Sequence, residues 1–377
     1  MATAAACTDN STGSNGDDSR SIAVESSATT CKLSATSAPA GTLRFNVRNT
    51  GSDVTEFYLL AKNKTRIIGE IENVGPGITR NLVVRAATDT YFTRCVPGMK
   101  GDGITAKFTV TKTDGPQPVL ANAALLDTAM VTYKKYVNDQ VEALTPATRR
   151  FAAAVIARDD DAARAQYASA RMHWEAIEPV AESFGDLDPR LDLREADLEK
   201  GQEWTGWHRL EKDLWPPAPE ANDGKTYVPL TDAERKDLAD RLVDDTVELE
   251  QRVKALVLSP DQLGNGAKEL LDEVATGKVT GEEEIWSHTD LWDFQANVEG
   301  AREAFTALTP VLKVTKPALI PTLDERFAKV QALLDSHKVG DGWKYYDELD
   351  KDQIKALADA VNALGEPLSE LTAATVS

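Results

Sequence analysis

The positions of apolar and polar residues divide the chain into two parts with different periods. Between residues 21 and 112, short segments such as 42–49 and 81–85 alternate apolar with polar residues. A period of two is typical of strands with one buried face. Glycine and proline separate these segments, for example at 75–77. About seven short strands in about ninety residues predict an antiparallel β-sandwich.

Beyond residue 120 the apolar residues recur at a helical spacing. Leu126, Met130, Tyr133 and Val137 lie three or four positions apart, which is typical of an amphipathic helix. The same period predicts helices over about 120–141, 146–186, 206–215, 231–256, 262–275, 289–308, 321–335 and 351–364. We therefore predict a helical bundle of roughly 260 residues.

The composition changes where the period changes. Residues 1–115 carry 13 Lys and Arg against 11 Asp and Glu, whereas the remainder carries 29 against 50 and holds all four His and all seven Trp. We expect a tether over 1–20, which is polar and has no periodicity. We then expect a sandwich over 21–112, a linker over 113–119 and a bundle over 120–377.

The charge and the missing motifs exclude several functions. The net charge of −19 over 377 residues argues against nucleic-acid binding, which needs clustered cations. No apolar run approaches the roughly 20 residues of a membrane span. Neither a glycine-rich phosphate loop nor an HExxH or GxSxG motif occurs. Several large enzyme classes are therefore excluded, although enzymes in general are not.

The three cysteines are an odd number, which indicates two roles. Cys7 follows three alanines and precedes the polar tether, a pattern typical of a bacterial lipoprotein cleavage site. We expect Cys7 to carry a lipid anchor in an exported protein whose signal peptide has been removed, the alternative being an ordinary cysteine in a tail. Cys31 and Cys95 then form a disulfide, bind a metal or remain free thiols. The sequence leaves these three alternatives open.

Two pairs of metal-ligand residue types occur in the helical part. Glu175 and Glu178 are three positions apart and share a helix face, where two carboxylates repel each other unless a cation or a proton lies between them. His208 and Glu211 have the same spacing. Helical bundles build metal sites from such pairs on facing helices. The alternative is a solvated acidic face with a surface histidine.

Two further segments could complete such a site. The segment 185–197 holds several aspartates, and His288 stands close to Asp290 and Asp293, where a capped helix start is the alternative. Carboxylates with one imidazole suit Fe(III), Mn(II) or Zn(II) better than Cu(I).

The β-rich part offers different ligands. It contains no histidine, which excludes a blue-copper site within it, because such a site needs two imidazoles and a thiolate. A non-blue metal site there would draw on a set of six candidates, namely Cys31, Glu56, Glu70, Glu72, Cys95 and Met99.

Taken together, these blocks resemble the EfeO family of extracytoplasmic iron-uptake components. Residues 21–112 resemble its cupredoxin-like domain and residues 120–375 its imelysin domain. The motifs that carry the resemblance are 39–41, 55–57 and 72–77 with the two cysteines, then 174–179, the GxHxxE motif at 206–211, and 286–291. The resemblance implies a Greek-key cupredoxin-like sandwich followed by an imelysin-type bundle.

The resemblance also implies a function and its partners. It indicates a periplasmic or cell-surface protein that binds iron, as Fe(III) or Fe(II), with Zn(II) as a surrogate. Its implied partners are a membrane ferric permease and a dye-decolourising-type haem peroxidase. The matching ligands in the helical domain are Glu175, Glu178, Asp192 and His208, with Glu211 as a further candidate. In the β-domain, copper or a second iron would use Cys31, Glu56 and Cys95, and would assist oxidation of Fe(II).

Two alternatives remain at this level. The imelysin name suggests a zinc metallopeptidase, in which HxxE would supply a ligand and a general base, but no zinc-peptidase motif supports it. The other alternative is a non-catalytic protein that binds a sugar or a metal-bridged anion, with tryptophans such as Trp207 and Trp286 as stacking surfaces. We expect a binding protein without catalytic residues.

Overall fold

The computed structural model describes residues 18–62, 64, 67–112, 122–198, 200–276 and 278–376. Cys7, residues 1–17 of the predicted tether and the whole predicted linker lie outside the described residues. The described strands of the first part end at Thr111, and the helices begin at Ala123. The predicted domain limits are consistent with these two positions and stay predictions.

Within the described residues, the first part forms nine strands in two sheets. They are β1 (Ser21–Ser26), β2 (Cys31–Leu33), β3 (Ser37–Pro39), β4 (Gly41–Asn49), β5 (Thr55–Leu60), β6 (Ile67–Val74), β7 (Thr79–Ala86), β8 (Asp89–Pro97) and β9 (Ile104–Thr111). One sheet has the order β2-β1-β4-β7, and the other has the order β3-β9-β8-β5-β6. The sheets enclose an apolar core in which the rings of Phe57 and Phe108 lie 5.3 and 5.4 Å from that of Phe45.

The predicted sandwich is confirmed, but its purely antiparallel pairing was wrong. β1 pairs with β4, and β3 pairs with β9, in parallel. Alternation along a strand shows which residues face the core, and it carries no information about the direction of the neighbouring strand. The sequence pattern could therefore not reveal these two pairings.

The second part is helical, as predicted. Its helices are α1 (Ala123–Ile156), α2 (Asp160–Glu175), α3 (Leu187–Asp192), α4 (Trp207–Leu214), α5 (Asp232–Ala255), α6 (Pro260–Thr276), α7 (Asp290–Thr315), α8 (Leu319–Ser336), α9 (Lys351–Leu368) and α10 (Leu371–Val376). A short hairpin of β10 (Lys338–Val339) and β11 (Gly342–Trp343) follows α8. None of the described helices combines the length and the apolar character that a membrane span requires.

The first helix break is not where the sequence placed it. We predicted a break before residue 146, but α1 continues through Pro146 to Ile156, because its neighbours Leu144 and Phe151 are fully buried in the bundle core. The chain turns instead at Arg158, which has a positive φ of 59°. Asp159 then caps α2 by accepting a hydrogen bond from the backbone nitrogen of Ala162 at 3.2 Å.

The helix α6 packs against β6 and β7, where the two sheets meet the bundle. The side-chain nitrogen of Asn265 donates to the carbonyl of Val83 at 3.0 Å. The backbone nitrogen of Arg85 donates to Oδ2 of Asp261 at 2.9 Å. These contacts place the outer surface of β6 opposite α6 and the segment that follows α2.

Candidate metal centre in the helical domain

The five helical-domain residues predicted from the sequence lie together in the interior of the bundle. Glu175 is the last residue of α2, and Asp192 is the last residue of α3. His208 and Glu211 lie on α4, and Glu178 begins a 3₁₀ segment (Glu178–Phe184). α2 ends before Pro179, inside the span 146–186 that we predicted as helix, and the carbonyl of Glu175 accepts a hydrogen bond from Asn297 at 3.1 Å.

Arg171 lies at the centre of this cluster and is fully buried. Its guanidinium is 2.5 Å from Oε1 of Glu175, and it also pairs with Asp192. Contacts at 3.0 Å to Glu283 and 2.5 Å to Glu284 complete its surroundings. A guanidinium with several carboxylate partners holds them in a fixed geometry, because its donors form a rigid planar fork.

Lys278 is a second buried cation, on the side of Glu175 and Glu178. Its Nζ lies 2.8 Å from Oε2 of Glu175 and 2.9 Å from Oε2 of Glu178. The side-chain nitrogen of Asn297 donates to the same two oxygens, at 2.9 and 2.6 Å. In this structure Lys278 therefore supplies the positive charge that the Glu175–Glu178 pair needs.

His208 lies between three carboxylates. Its Nδ1 is 3.1 Å from Oε2 of Glu211. Its Nε2 lies 3.4 Å from Oδ1 of Asp192 and 3.6 Å from Oε1 of Glu283, and has no hydrogen-bond partner within the described residues. Ligand atoms bonded to one ion at about 2.0–2.2 Å are separated by roughly 3.0–3.5 Å. A metal ion therefore fits between Nε2 of His208, Oδ1 of Asp192 and Oε1 of Glu283 after small side-chain adjustments.

Glu211 is held in place by backbone donors as well as by His208. Its Oε1 accepts hydrogen bonds from the backbone nitrogens of Trp286 and Ser287, at 2.9 and 2.7 Å. Its Oε2 faces the ring of His208. Because both oxygens are engaged, Glu211 orients the imidazole, as a carboxylate behind a metal-binding histidine commonly does.

Sequence reasoning missed several members of the cluster. They are Arg171, Lys278, Glu283 and Glu284, while Asp293 was noticed without being placed there. Glu282, Glu283 and Glu284 are a run of acidic residues, a pattern that usually indicates a solvated surface. The one available signal was the position of this run just before the 286–291 motif.

The charges of the cluster oppose one another strongly. Burial and Arg171 disfavour the protonated form of His208, but Glu211, Glu283 and Glu284 outweigh them and raise its pKa to about 9. Burial disfavours ionisation of Glu283, yet Lys278 and His208 hold the pKa of that carboxyl well below its usual range. Burial and the charge of Glu211 raise the pKa of Glu284 to about 7. In the absence of a metal, protons therefore neutralise part of the cluster.

Three overlapping groups of side chains have ligand atoms within 4.8 Å of one another. They are Asp192 with His208 and Glu283, then His208 with Glu211 and Glu284, and finally Glu175 with Glu178, Asp192 and Glu283. One buried atom at their centre, Nε2 of His208, lacks a hydrogen-bond partner within the described residues. Such unpaired atoms are rare in folded proteins and indicate a missing ligand.

His288 does not join the cluster. It has a positive φ of 58°, and its carbonyl accepts a hydrogen bond from the backbone nitrogen of Tyr346 at 2.8 Å. Asp290, at the start of α7, accepts from the backbone nitrogen of Glu284 at 3.2 Å. This segment is therefore the helix start that we gave as the alternative, although Thr289 at its N-cap makes no side-chain capping hydrogen bond. Asp293 on the same helix reaches Arg171 at 3.5 Å.

Of the three alternatives for the β-domain cysteines, the structure shows the disulfide, and a metal site on the remaining candidates stays a prediction. Cys31 and Cys95 form a disulfide with an S–S distance of 2.08 Å, so neither offers a thiolate. Glu56 lies on the other face of its sheet, because its neighbour Phe57 is the residue that pairs with Cys95. Glu56 accepts a hydrogen bond from Tyr58 at 2.9 Å, and Met99 lies in the turn after β8 with a φ of 55°. These four residues do not converge on one position.

Comparison with known proteins gives the family. The imelysin family model matches residues 129–371. The iron uptake system component EfeO of Yersinia pestis is 35% identical over 347 residues, which are 90% of this chain and 87% of that protein. The chain belongs to the EfeO family.

Two other similar proteins match a smaller share of this chain. An Efem/EfeO family lipoprotein of Staphylococcus haemolyticus is 43% identical over 257 residues, or 67% of this chain and 86% of the lipoprotein. A structure from Parabacteroides distasonis, assigned as an iron-regulated protein A precursor, has a TM-score of 0.50 at 16% identity. It covers 70% of this chain and 97% of its own. This last likeness is evidence of the fold alone.

Proposed function

We propose that this EfeO-family chain binds iron at the helical cluster and passes it to a membrane ferric permease. Relatives named as iron-uptake components, together with the imelysin domain, support an iron-uptake role. The main observation in support of this site is that Nε2 of His208, buried between Asp192 and Glu283, has no hydrogen-bond partner within the described residues. These three residues are the proposed ligands, with Glu175 and Glu178 completing the shell.

The donor set suits Fe(III). It consists of carboxylate oxygens with one imidazole, which are the ligands that hard or borderline ions prefer. The cluster contains more carboxylates than cations, and a trivalent ion gains most from such an excess of negative charge. The acidic members are Glu175, Glu178, Asp192, Glu211, Glu283, Glu284 and Asp293, and the permanent cations are Arg171 and Lys278.

A peptidase is less well supported by the same geometry. A zinc hydrolase needs a general base beside the bound water. Glu211 is the glutamate of the HxxE motif, but its oxygens are engaged by two backbone N–H groups and by His208. Both residues of the HxxE motif, His208 and Glu211, are also almost fully buried. A polypeptide substrate would have to displace these contacts.

The proposal includes an extracytoplasmic location. The relative from Staphylococcus haemolyticus is named a lipoprotein, which supports the interpretation of Cys7 as the lipid-anchor residue. In that location the chain would act beside the permease and a haem peroxidase of the dye-decolourising type. The disulfide between Cys31 and Cys95 is consistent with an oxidising compartment.

The test is a comparison of two histidine variants of the full chain. His208→Ala removes the proposed ligand, whereas His173→Ala removes a half-buried histidine that contacts Gln140 at 2.7 Å outside the cluster. Ferric-citrate competition should show at least about a tenfold loss of iron affinity for His208→Ala and none for His173→Ala. Equal affinity in both variants, each with an unchanged circular-dichroism spectrum, would refute the assignment.

A further inference from the structure

A cavity of about 280 Å³ lies between the two domains. β6 lines one side, while the 3₁₀ segment Glu178–Phe184 and α6 line the other. Glu178, Asp192 and Glu283 also belong to its wall. The cavity therefore extends from the surface of the β-domain to the helical cluster.

Six further carboxylates from both domains belong to the wall, beside Asp197 with its partner Arg194 and several uncharged residues. The six are Glu70 and Glu72 on β6, Glu182 in the 3₁₀ segment, Asp188 on α3, and Glu269 and Glu273 on α6. Burial and the neighbouring acidic groups raise the pKa of Glu182 to about 8. Burial raises the pKa of Glu269 to about 8 as well, although the charge of Lys268 opposes this. The cavity has the electrostatic character of a cation site.

Glu70 gives independent evidence for a missing ligand. Its side chain is only 5% exposed, and its Oε2 has no hydrogen-bond partner within the described residues. Apart from burial, the groups that raise the pKa of Glu70 most are carboxylates, with Glu182 and Glu72 first. Burying a carboxylate without a donor or a cation costs several kcal/mol. A cation bound in the cavity would remove this cost.

We propose that the cavity binds a hydrated multivalent cation held by Glu70, Glu182 and Glu269, as the position from which iron enters the helical cluster. This inference rests on the proposed function of that cluster. Among the described residues, groups of ligand atoms that lie within 4.8 Å of one another occur only in the helical cluster. Because Glu70, Glu182 and Glu269 do not come this close together, water molecules must complete the coordination of the ion. A bound water needs roughly 10–15 Å³ of cavity volume, so the space admits an ion with several waters.

The lining also restricts the kind of ion. No imidazole or thiol belongs to the described wall of the cavity, which offers carboxylate oxygens instead. Such donors select hard cations over Cu(I). Because Glu70 comes from β6 and Glu269 from α6, the ion would connect the two domains and would stabilise their packing.

The experiment is a titration of the full chain with Tb(III), a hard trivalent probe, at physiological ionic strength. We expect two ions per wild-type chain. Glu70→Gln/Glu269→Gln should lose one of them, while the exposed control Glu25→Gln/Glu220→Gln should keep both. His208→Ala/Glu283→Gln should lose the other ion. Luminescence lifetimes in H₂O and D₂O should then show several bound waters on the ion that this last variant retains.

The outcomes separate the two proposals. The interdomain site would be overturned if the variant Glu70→Gln/Glu269→Gln still bound two ions. It would also be overturned if the wild-type chain bound a single ion and the variant His208→Ala/Glu283→Gln lost it. Either result would leave the proposed site in the helical cluster intact. The proposed function would be overturned if the variant His208→Ala/Glu283→Gln still bound two ions while Glu70→Gln/Glu269→Gln bound one. That result would keep the interdomain site. A retained ion without bound water would contradict the hydrated form.

Discussion

The ammonium nitrogen of Lys278 lies 2.8 Å from Oε2 of Glu175, and both residues are fully buried in the carboxylate cluster. The lysine thus occupies the position of a cation beside the Glu175–Glu178 pair. Burial disfavours its charged form, but Glu175 and Glu178 raise its pKa well above the usual range. A metal ion that uses this pair must compete with the ammonium group or displace it.

Replacing this lysine should therefore have opposite effects on stability and on iron binding. In Lys278→Met, the metal-free chain should lose about 3–5 kcal/mol of unfolding free energy, because buried carboxylates lose their partner. Iron affinity should rise by at least about tenfold, since a nearby positive charge that repels the ion is gone. The surface variant Lys355→Met, which breaks an exposed pair with Asp359, should change neither quantity. Weaker iron binding in Lys278→Met would show that the lysine supports the bound state.

The adjacent residues Glu282 and Glu283 allow a matched test of the ligand set. Glu283 is buried beside His208, whereas Glu282 is exposed. Glu283→Gln should lower iron affinity by at least about tenfold, and Glu282→Gln should leave it unchanged. Isothermal titration with ferric citrate compares the two. The same affinity in both would exclude Glu283 from the site.

The pH dependence of stability should weaken when the metal is bound. The pKa values of His208 (about 9), Glu284 (about 7) and Glu182 (about 8) are all raised in the folded chain. Groups with raised pKa values stabilise the fold while they are protonated, and this contribution is lost as the pH rises through the folded-state values. The metal-free chain should therefore lose stability between about pH 6.5 and pH 9.

Thermal unfolding at several pH values, with a chelator and with iron, measures this effect. Iron should flatten the decline, because the ion replaces protons on the same ligands and its binding strengthens as they deprotonate. A melting temperature that rises from pH 6.5 to pH 9 in the chelated protein would contradict the assigned charge states.

The disulfide should matter for the β-domain and not for the helical cluster. Cys31 and Cys95 are 64 residues apart in the sequence, and the loss of such a bond typically costs about 2–5 kcal/mol. Cys31→Ala/Cys95→Ala should destabilise the β-domain in urea unfolding while iron affinity stays the same. A loss of iron binding in this variant would instead indicate that the cysteines are iron ligands.

The sequence predicted the two folds and part of the cluster for clear physical reasons. Periodicity located α4 and α5 within about a residue, and the capping box of Thr231 with Glu234 was visible at the start of α5. The local pairs Glu175–Glu178 and His208–Glu211 could be recognised because their members lie on one helix turn. Asp192 was placed through the family resemblance.

The remaining members could not be predicted, because they join the cluster through tertiary contacts. Lys278 is 100 residues from Glu178 in the sequence, and a lysine beside a loop gives no sign that it will be buried. Arg171 has the i,i+4 spacing of an ordinary surface pair with Glu175, so its full burial was not evident. Glu70 was a candidate ligand within the β-domain, but its place in a wall shared with α6 depends on the packing of the two domains, which the sequence does not reveal.

Anomalous diffraction at the iron absorption edge, from crystals of the full chain loaded with Fe(III), tests the central claim most directly. The account predicts an iron peak within bonding distance of Nε2 of His208, with oxygens of Asp192 and Glu283 among its ligands. An iron peak away from these three residues, or none in the helical domain, would contradict it.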